Sequence, residues 1–225
     1  MAAVRPRTPH SLGAQAERLA GRRERAGSLA GTRSVALIVT WYVLAGVAAI
    51  AIAVALGQNP LVCRGALGVR GAASWLISAA LGLGLGAATV AASRVFVRHM
   101  AWAHALHAAL RPAALGASDA TLAAVATASA VGEELLFRGL LVPLVGVAAS
   151  SALFGALHQV GGRARWGWMA WAGVMGALFA TIFTLTGSLL GPLMAHAAIN
   201  HANLRFLRDG NPAPPSRRLG GLLER

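Results

Sequence analysis

The feature that most constrains the fold is a run of 22 residues, Val35 to Leu56, without a charged side chain. In an α-helix with a rise of 1.5 Å per residue, such a run is long enough to cross a hydrocarbon core about 30 Å thick. A cleaved signal peptide is the alternative, since Ala53-Val54-Ala55 resembles a cleavage site. The run is longer than the ~7 to 15 apolar residues usual there, and a long basic arm precedes it. It therefore predicts a transmembrane helix.

The composition of the whole chain is that of a membrane protein. Hydrophobic residues make up 56% of the 225 positions and charged residues 12%, and the mean hydropathy is +0.62. Further apolar runs predict five more spans, at about 73–93, 120–145, 147–160, 167–186 and 189–207, with a break at Gly146. Small residues would let these helices approach closely, among them Gly82, Gly84, Gly86, Gly173 and Gly176. The predicted fold class is an all-α polytopic membrane bundle of about six transmembrane helices, in a domain covering residues 34–207.

Most of the charged side chains lie outside the predicted spans. All twenty basic residues are arginine, and this lysine-free, alanine-rich composition is typical of a GC-rich bacterial coding bias. The arginines occupy tails and loops without interleaved aromatic residues, so they predict no nucleic-acid-binding surface. The arm 1–33 and the tail 208–225 are both predicted to be disordered. The positive-inside rule places both of them on the cytoplasmic side, in a bacterial plasma membrane. The single cysteine, Cys63, excludes an internal disulfide.

A polar helical face is predicted between the second and third spans. In the segment from His99 to Pro112, the side chains of His104, His107 and Arg111 share one face of a helix. We expect this helix to lie along the membrane interface with that face in water.

Two adjacent carboxylates interrupt the apolar middle of the chain. Only three acidic residues lie between Val35 and Phe206, and two of these are Glu133 and Glu134. An ionisable group at membrane depth costs on the order of 3 kcal/mol, so this pair requires an explanation. Glu134 precedes Arg138 by four residues, the favourable order for an ion pair on a helix. Glu133 is rotated by about 100° and does not share that partner equally, so we expect it to face a cavity.

Two other spans supply hydrogen-bonding groups. Phe154 and His158 are four residues apart on one helix, as are His196 and Asn200 on another. A carboxylate in a low-dielectric cavity is suited to act as a general base on water, and an imidazole with a carboxamide is suited to bind an oxyanion. The pattern predicts a hydrolase without a side-chain nucleophile. Glu133, His158 and His196 would also be capable of binding a divalent metal such as zinc. There is no HExxH motif, and residue spacing alone does not choose between water activation by Glu133 and the binding of a metal.

Three short motifs resemble those of a known family. "EELLFRG" from Glu133, "FGALH" from Phe154 and "HAAIN" from His196 resemble the EExxxR, FxxxH and HxxxN motifs of the CPBP intramembrane proteases, the type II CAAX prenyl endopeptidase and bacteriocin-processing family. The resemblance covers about residues 120–207. It implies peptide-bond hydrolysis within the membrane by a glutamate-dependent mechanism. Members of the family are commonly labelled metalloproteases, so a metal-dependent mechanism is the alternative.

The resemblance also assigns roles to individual residues. It implies that Glu133 activates water with His158, and that His196 and Asn200 form the oxyanion hole. Glu134, Arg138 and Phe154 would support the first two motifs. The implied partners are the lipid bilayer and a peptide or membrane-protein substrate, and the oligomeric state stays unknown. The alternative function is a non-catalytic scaffold or bacteriocin-immunity-type protein that keeps the motifs, and a proton-coupled transporter is a weaker third possibility.

Overall fold

The computed structural model describes residues 34–212, which form seven α-helices and contain no extended strand. The predictions for residues 1–33, and for the part of the tail beyond residue 212, lie outside this range. A π-helical segment, Leu135–Leu141, joins the fourth and fifth helices, and a 3-10 turn, Gly162–Ala164, precedes the sixth. The helices are α1 (Ser34–Ala55), α2 (Gly71–His99), α3 (Ala101–Ala114), α4 (Asp119–Glu134), α5 (Val142–Leu157), α6 (Arg165–Thr186) and α7 (Leu190–Asp209). The prediction of an all-α membrane bundle is confirmed.

Four helical segments in the described range are long and apolar enough to cross a membrane. The longest is the 39-residue segment Asp119–Leu157, which at 1.5 Å per residue amounts to about two crossings of a 30 Å core. Gly146 interrupts it with a φ of 81° and a ψ of 169°, a conformation open to glycine because it has no Cβ. The predicted break between the third and fourth spans therefore lies where the sequence placed it.

The predicted sixth span, α7, is not among these four segments. Its polar residues, including His196, Asn200 and Asn203, lower its hydropathy, and it is enclosed by other helices rather than by lipid alone. It packs mainly against α2 and α4. The large apolar side chains of α1 and α2, by contrast, are widely exposed, as Leu37 and Leu76 illustrate. Such surfaces suit contact with lipid chains.

Small residues bring α2 and α7 together near the start of α7. A Cβ added to Gly82 would lie 2.2 Å from the carbonyl oxygen of Gly191, so only glycine fits there. The Ser78 hydroxyl donates to the Ser188 carbonyl and accepts from the Gly191 amide. Gly84, which was also predicted to permit close packing, instead faces open space, since a Cβ there would have no neighbouring atom within 4 Å. The contact with α2 fixes the position of the first turn of α7, the helix that carries His196.

The far end of α7 is tied to the start of α4. Ser118 caps α4 by accepting a hydrogen bond from the Thr121 amide. Asp119, in the first turn, lies 2.8 Å from a guanidinium nitrogen of Arg208. The helix α7 continues to Asp209, past the predicted boundary at Leu207, and this ion pair accounts for the extension.

The helix α3 differs from its predicted role as a water-facing interface helix. His107 is only 5% exposed and its ring packs on Phe206, with ring centroids 4.8 Å apart. His107 and Arg111 contact the Gly210 carbonyl, and His104 contacts that of Pro212. Burial lowers the pKa of His107 below its usual range. The polar face of α3 thus holds the chain that follows α7, a long-range contact that the local sequence pattern does not reveal.

Candidate active site

The predicted site residues come from four elements of the fold. Glu133 and Glu134 end α4, Arg138 lies in the π-helical segment, and His196 and Asn200 project from α7. His158 follows the last residue of α5 and has left the helical conformation, with a φ of −84° and a ψ of 70°. The predicted span to Val160 is therefore three residues too long, and the site uses the end of α5 rather than its interior.

The predicted ion pair between Glu134 and Arg138 is present. An Arg138 Nη atom lies 2.9 Å from Glu134 Oε1, and the two side chains are 1% and 0% exposed. The second Nη atom donates to the carbonyl of Gly176 on α6, at 3.2 Å. The guanidinium also lies over the ring of Phe154, 4.4 Å from its centroid. These contacts fix the pair within the bundle, and they give Phe154 its supporting position.

His196 lies between the two carboxylates. Its Nδ1 atom is 2.8 Å from Glu134 Oε1, and its Nε2 atom is 3.7 Å from Glu133 Oε2. Because a carboxylate only accepts hydrogen bonds, Nδ1 carries a proton and donates. The ring stacks on Phe179, with centroids 5.2 Å apart. One imidazole thus connects the paired carboxylate to the unpaired one, which the sequence did not predict.

His158 approaches Glu133 from the other side. Its Nε2 atom lies 3.8 Å from Glu133 Oε2. Its Nδ1 atom is 2.7 Å from the Phe154 carbonyl oxygen, to which it must donate. Its ring is flanked by Phe154 and by Trp168. In the neutral ring, the lone pair of Nε2 is therefore directed to the same region as Glu133 Oε2.

Glu133 Oε2 itself is buried and accepts no hydrogen bond among the described residues. It faces two imidazole Nε2 atoms that, in neutral rings with protonated Nδ1, are also acceptors. Two carboxylates and one guanidinium give this cluster a formal charge of −1 when both histidines are neutral. Three acceptors that converge on one region require a donor, whether a proton, a water molecule or a cation.

Asn200 is held by a residue that the sequence analysis missed. Its Nδ2 atom donates to the hydroxyl of Ser129 at 3.0 Å, and that hydroxyl donates to the Ala126 carbonyl at 3.1 Å. Ser129 precedes Glu133 by four residues and so shares its helix face. That spacing of four residues is the sequence feature from which Ser129 was predictable. Asn203, one turn beyond Asn200, instead accepts from Arg94 of α2 and does not enter the site.

The π-helical segment follows the carboxylates directly. At its end the Val142 amide bonds to the Phe137 carbonyl, five residues earlier. Such widened turns occur frequently at functional sites, and here the segment carries Arg138. Residue propensities give no sign of this widening, so the sequence predicted a regular helix.

The alternative of a divalent metal held by Glu133, His158 and His196 stays a prediction. No three histidine, cysteine, aspartate or glutamate side chains within residues 34–212 are placed to hold a metal ion. The separations of 3.7 and 3.8 Å between Glu133 and the two histidines exceed the ~3.4 Å between neighbouring ligands in a tetrahedral zinc site with bonds of about 2.0–2.1 Å. The three side chains would have to move closer together to bind zinc.

The helices that carry the site match a known protein family. Residues 119–202 match the family model described as Type II CAAX prenyl endopeptidase Rce1-like. No curated protein and no solved structure is significantly similar to the chain. The matched segment begins with α4 and ends on α7, so it contains all the residues of the predicted site, while α1 to α3 lie outside it. The family is one of proteases, and residues 119–202 of this chain are similar to its domain.

Proposed function

We propose that this protein is an intramembrane endopeptidase in which Glu133 and His158 activate water and His196 and Asn200 stabilise the oxyanion. The observation that carries the proposal is the placement of Glu133 Oε2. It is buried without a hydrogen-bond donor among the described residues, and two imidazole nitrogens lie 3.7 and 3.8 Å away. The family match supports the reaction class, while the assignment of roles rests on this geometry.

The distance between Glu133 and His158 supports a bridging water. At 3.8 Å the two atoms are too far apart to share a proton directly, since such hydrogen bonds measure about 2.7–3.2 Å. A water molecule that donates to both would separate them by roughly 4.4 Å at ideal geometry. A small adjustment of either side chain therefore admits a water held by two acceptors. The lone pairs of its oxygen are then free to attack.

The chemistry needs no side-chain nucleophile. The water oxygen attacks the carbonyl carbon of the substrate while Glu133 takes one of its protons. The tetrahedral intermediate then collapses as the carbon–nitrogen bond breaks, and Glu133 returns the proton to the departing amine. His158, whose Nδ1 is committed to the Phe154 carbonyl, holds the water through Nε2. Glu133 is therefore both the base and the subsequent acid.

The oxyanion would be bound by donors from α7. Because His196 Nδ1 donates to Glu134, its Nε2 is a donor only when the ring is a cation. Asn200 uses one amide hydrogen on Ser129, which leaves the other for the substrate. One charged and one neutral donor on successive turns of a helix suit a developing negative charge.

The cellular setting follows from the charge pattern and the apolar helices. We infer a location in the plasma membrane of a bacterium, with both termini in the cytoplasm. The substrate class is a peptide precursor, a membrane-protein tail or a regulatory protein. The direct junction between the spans at Gly146 leaves no room for a soluble lid there, which favours substrate entry from the membrane or the cytoplasmic face.

The test compares the terminal peptides of membrane and secreted proteins between wild-type cells and a Glu133→Gln strain with equal protein abundance. Asp119→Asn is the matched control, because it removes a carboxylate from the exposed start of the same helix. We expect termini that are present in the wild type and the control but absent in Glu133→Gln. Identical profiles in all three strains, together with a phenotype on deletion of the gene, would instead support a scaffold or immunity role.

Experiments on the purified protein test whether turnover depends on a metal. We expect turnover to persist after treatment with a chelator, because the proposed steps use only side chains of this chain. Loss of turnover that stoichiometric zinc restores would replace the glutamate-dependent mechanism with a metal-dependent one.

A further inference from the structure

The helix α1 lies outside the matched domain, yet one of its faces is buried against the candidate site. Gly46, Ala49 and Ala53 are buried, at spacings of three and four residues, and Tyr42 begins the same face one turn earlier. Ala49 and Ala53 belong to an apolar cluster with Leu135, in the π-helical segment. The residue before Tyr42, Trp41, points away and is 71% exposed. Tyr42 is therefore directed to the bundle rather than to lipid.

Glycine at position 132 permits an unusually close approach of Tyr42. A Cβ added to Gly132 would lie 2.5 Å from the Tyr42 carbonyl oxygen and 3.1 Å from its Cβ. One turn along α1, a Cβ on Gly46 would lie 3.4 Å from the Gly132 Cα. The backbones of α1 and α4 are thus in direct contact at the residue before Glu133.

This contact brings a phenol to the unpaired carboxylate. Because its Cβ packs against Gly132, Tyr42 places its phenol close enough to Glu133 to interact with the carboxylate, while Glu133 Oε2 has no hydrogen-bond partner among the described residues. The Arg138 guanidinium is committed to Glu134 and to the Gly176 carbonyl. The phenol is therefore placed to be the donor that fixes the orientation of Glu133.

We propose that Tyr42 is a positioning residue for Glu133, whose hydroxyl holds the carboxylate so that Oε2 faces His158 and His196. This inference rests on the proposed function of Glu133 and extends the site to α1. A carboxylate with one oxygen anchored loses rotational freedom about its last bond, so its second oxygen stays where water is to be deprotonated. Without the anchor, Glu133 would sample orientations in which Oε2 points away from the imidazoles.

A spectroscopic test follows from the composition, because Tyr42 is the only tyrosine of the chain. Protein labelled with 13C at the tyrosine Cζ gives a single phenol resonance. We expect that resonance to move in Glu133→Gln and to stay in place in Asp119→Asn. A resonance that is the same in wild type and Glu133→Gln would overturn the contact, and this readout requires no substrate.

A kinetic test separates positioning from packing. Tyr42→Phe removes only the hydroxyl and keeps the ring against Gly132. On a peptide that wild-type protein cleaves, we expect kcat to fall about tenfold with KM changed less than twofold, the size expected for one lost hydrogen bond to a charged group. Trp41→Phe, on the exposed side of α1, is the matched control and should retain the wild-type kcat.

The two proposals fail in different ways. Full turnover by Tyr42→Phe, in an assay in which Glu133→Gln is inactive, would overturn the role of Tyr42 and leave the proposed protease intact. Full turnover by Glu133→Gln would overturn the proposed mechanism, and the positioning role would fall with it.

Discussion

The two adjacent carboxylates lie in two regions of one site that differ in their hydrogen-bond donors and in their exposure, although Oε2 of each is buried without a hydrogen-bond partner among the described residues. In the ion-pair region, Glu134 and Arg138 are 0% and 1% exposed, and Glu134 Oε1 receives donors from Arg138 and His196. In the open region, Glu133 and His158 are 14% and 22% exposed and stay 3.8 Å apart. Residues of the same type, one position apart, thus have different environments because a helix rotates by about 100° per residue. We infer that the first region stabilises the fold and propose that the second carries out the reaction.

Breaking the ion-pair region gives the largest expected effect. Arg138→Met should lower the free energy of unfolding by about 3–5 kcal/mol, because it leaves Glu134 as a buried charge without its cation. The measurement is denaturant or thermal unfolding of the purified protein in detergent. Arg163→Met, in an exposed loop, is the control and should stay close to the wild type. A loss below about 1 kcal/mol for Arg138→Met, within the range of exposed ion pairs, would show that the region does not carry the stability assigned to it.

Removing the amide donor tests the open region. Asn200→Ala should lower kcat about 10²–10³-fold, the usual cost of losing one oxyanion donor, with little change in stability. Asn203→Ala supplies the comparison, since Asn203 binds Arg94 on α2 rather than the site, and it should keep kcat near the wild-type value. Equal losses in the two variants would mean that both amides act through the packing of α7.

The smallest effect is expected at the residue that holds the amide. Ser129→Ala should lower kcat about tenfold, because the Asn200 carboxamide loses the acceptor that fixes it while keeping its own donor. Ser151→Ala is the matched control: its hydroxyl is buried without a hydrogen-bond partner among the described residues, so its removal should cost little. If Ser129→Ala keeps the wild-type kcat, Asn200 is oriented by other means.

The sequence predicted those parts of the site that depend on spacing within one helix. The pairing of Glu134 with Arg138 follows from four residues of separation, and the break at Gly146 follows from the freedom of glycine. The convergence of Glu133, His158 and His196 was expected from the motifs, and the fold brings a ring nitrogen of each histidine within 3.8 Å of Glu133 Oε2. Their catalytic roles stay a prediction until tested.

The remaining features depend on contacts between distant segments, which local patterns do not specify. Tyr42 approaches Glu133 only because Gly132 admits the backbone of α1. The polar face of α3 was expected to meet water, and it instead binds carbonyl groups just after α7. The dual contact of His196 also escaped prediction, since a helix sequence does not state which neighbour each ring nitrogen will meet. Its partner Glu134 lies on another helix, 62 residues away in the chain.

The most direct test of the account compares Glu133→Gln with Glu134→Gln for both unfolding stability and turnover. We predict that Glu133→Gln unfolds within about 1 kcal/mol of the wild type and has no measurable turnover, because a partly exposed carboxylate that forms no ion pair with an arginine contributes little to the fold. Glu134→Gln should lose about 3–5 kcal/mol of stability, since it leaves the Arg138 cation buried without its carboxylate. An active Glu133→Gln variant, or equal stability losses at the two positions, would contradict the division of roles between the two glutamates.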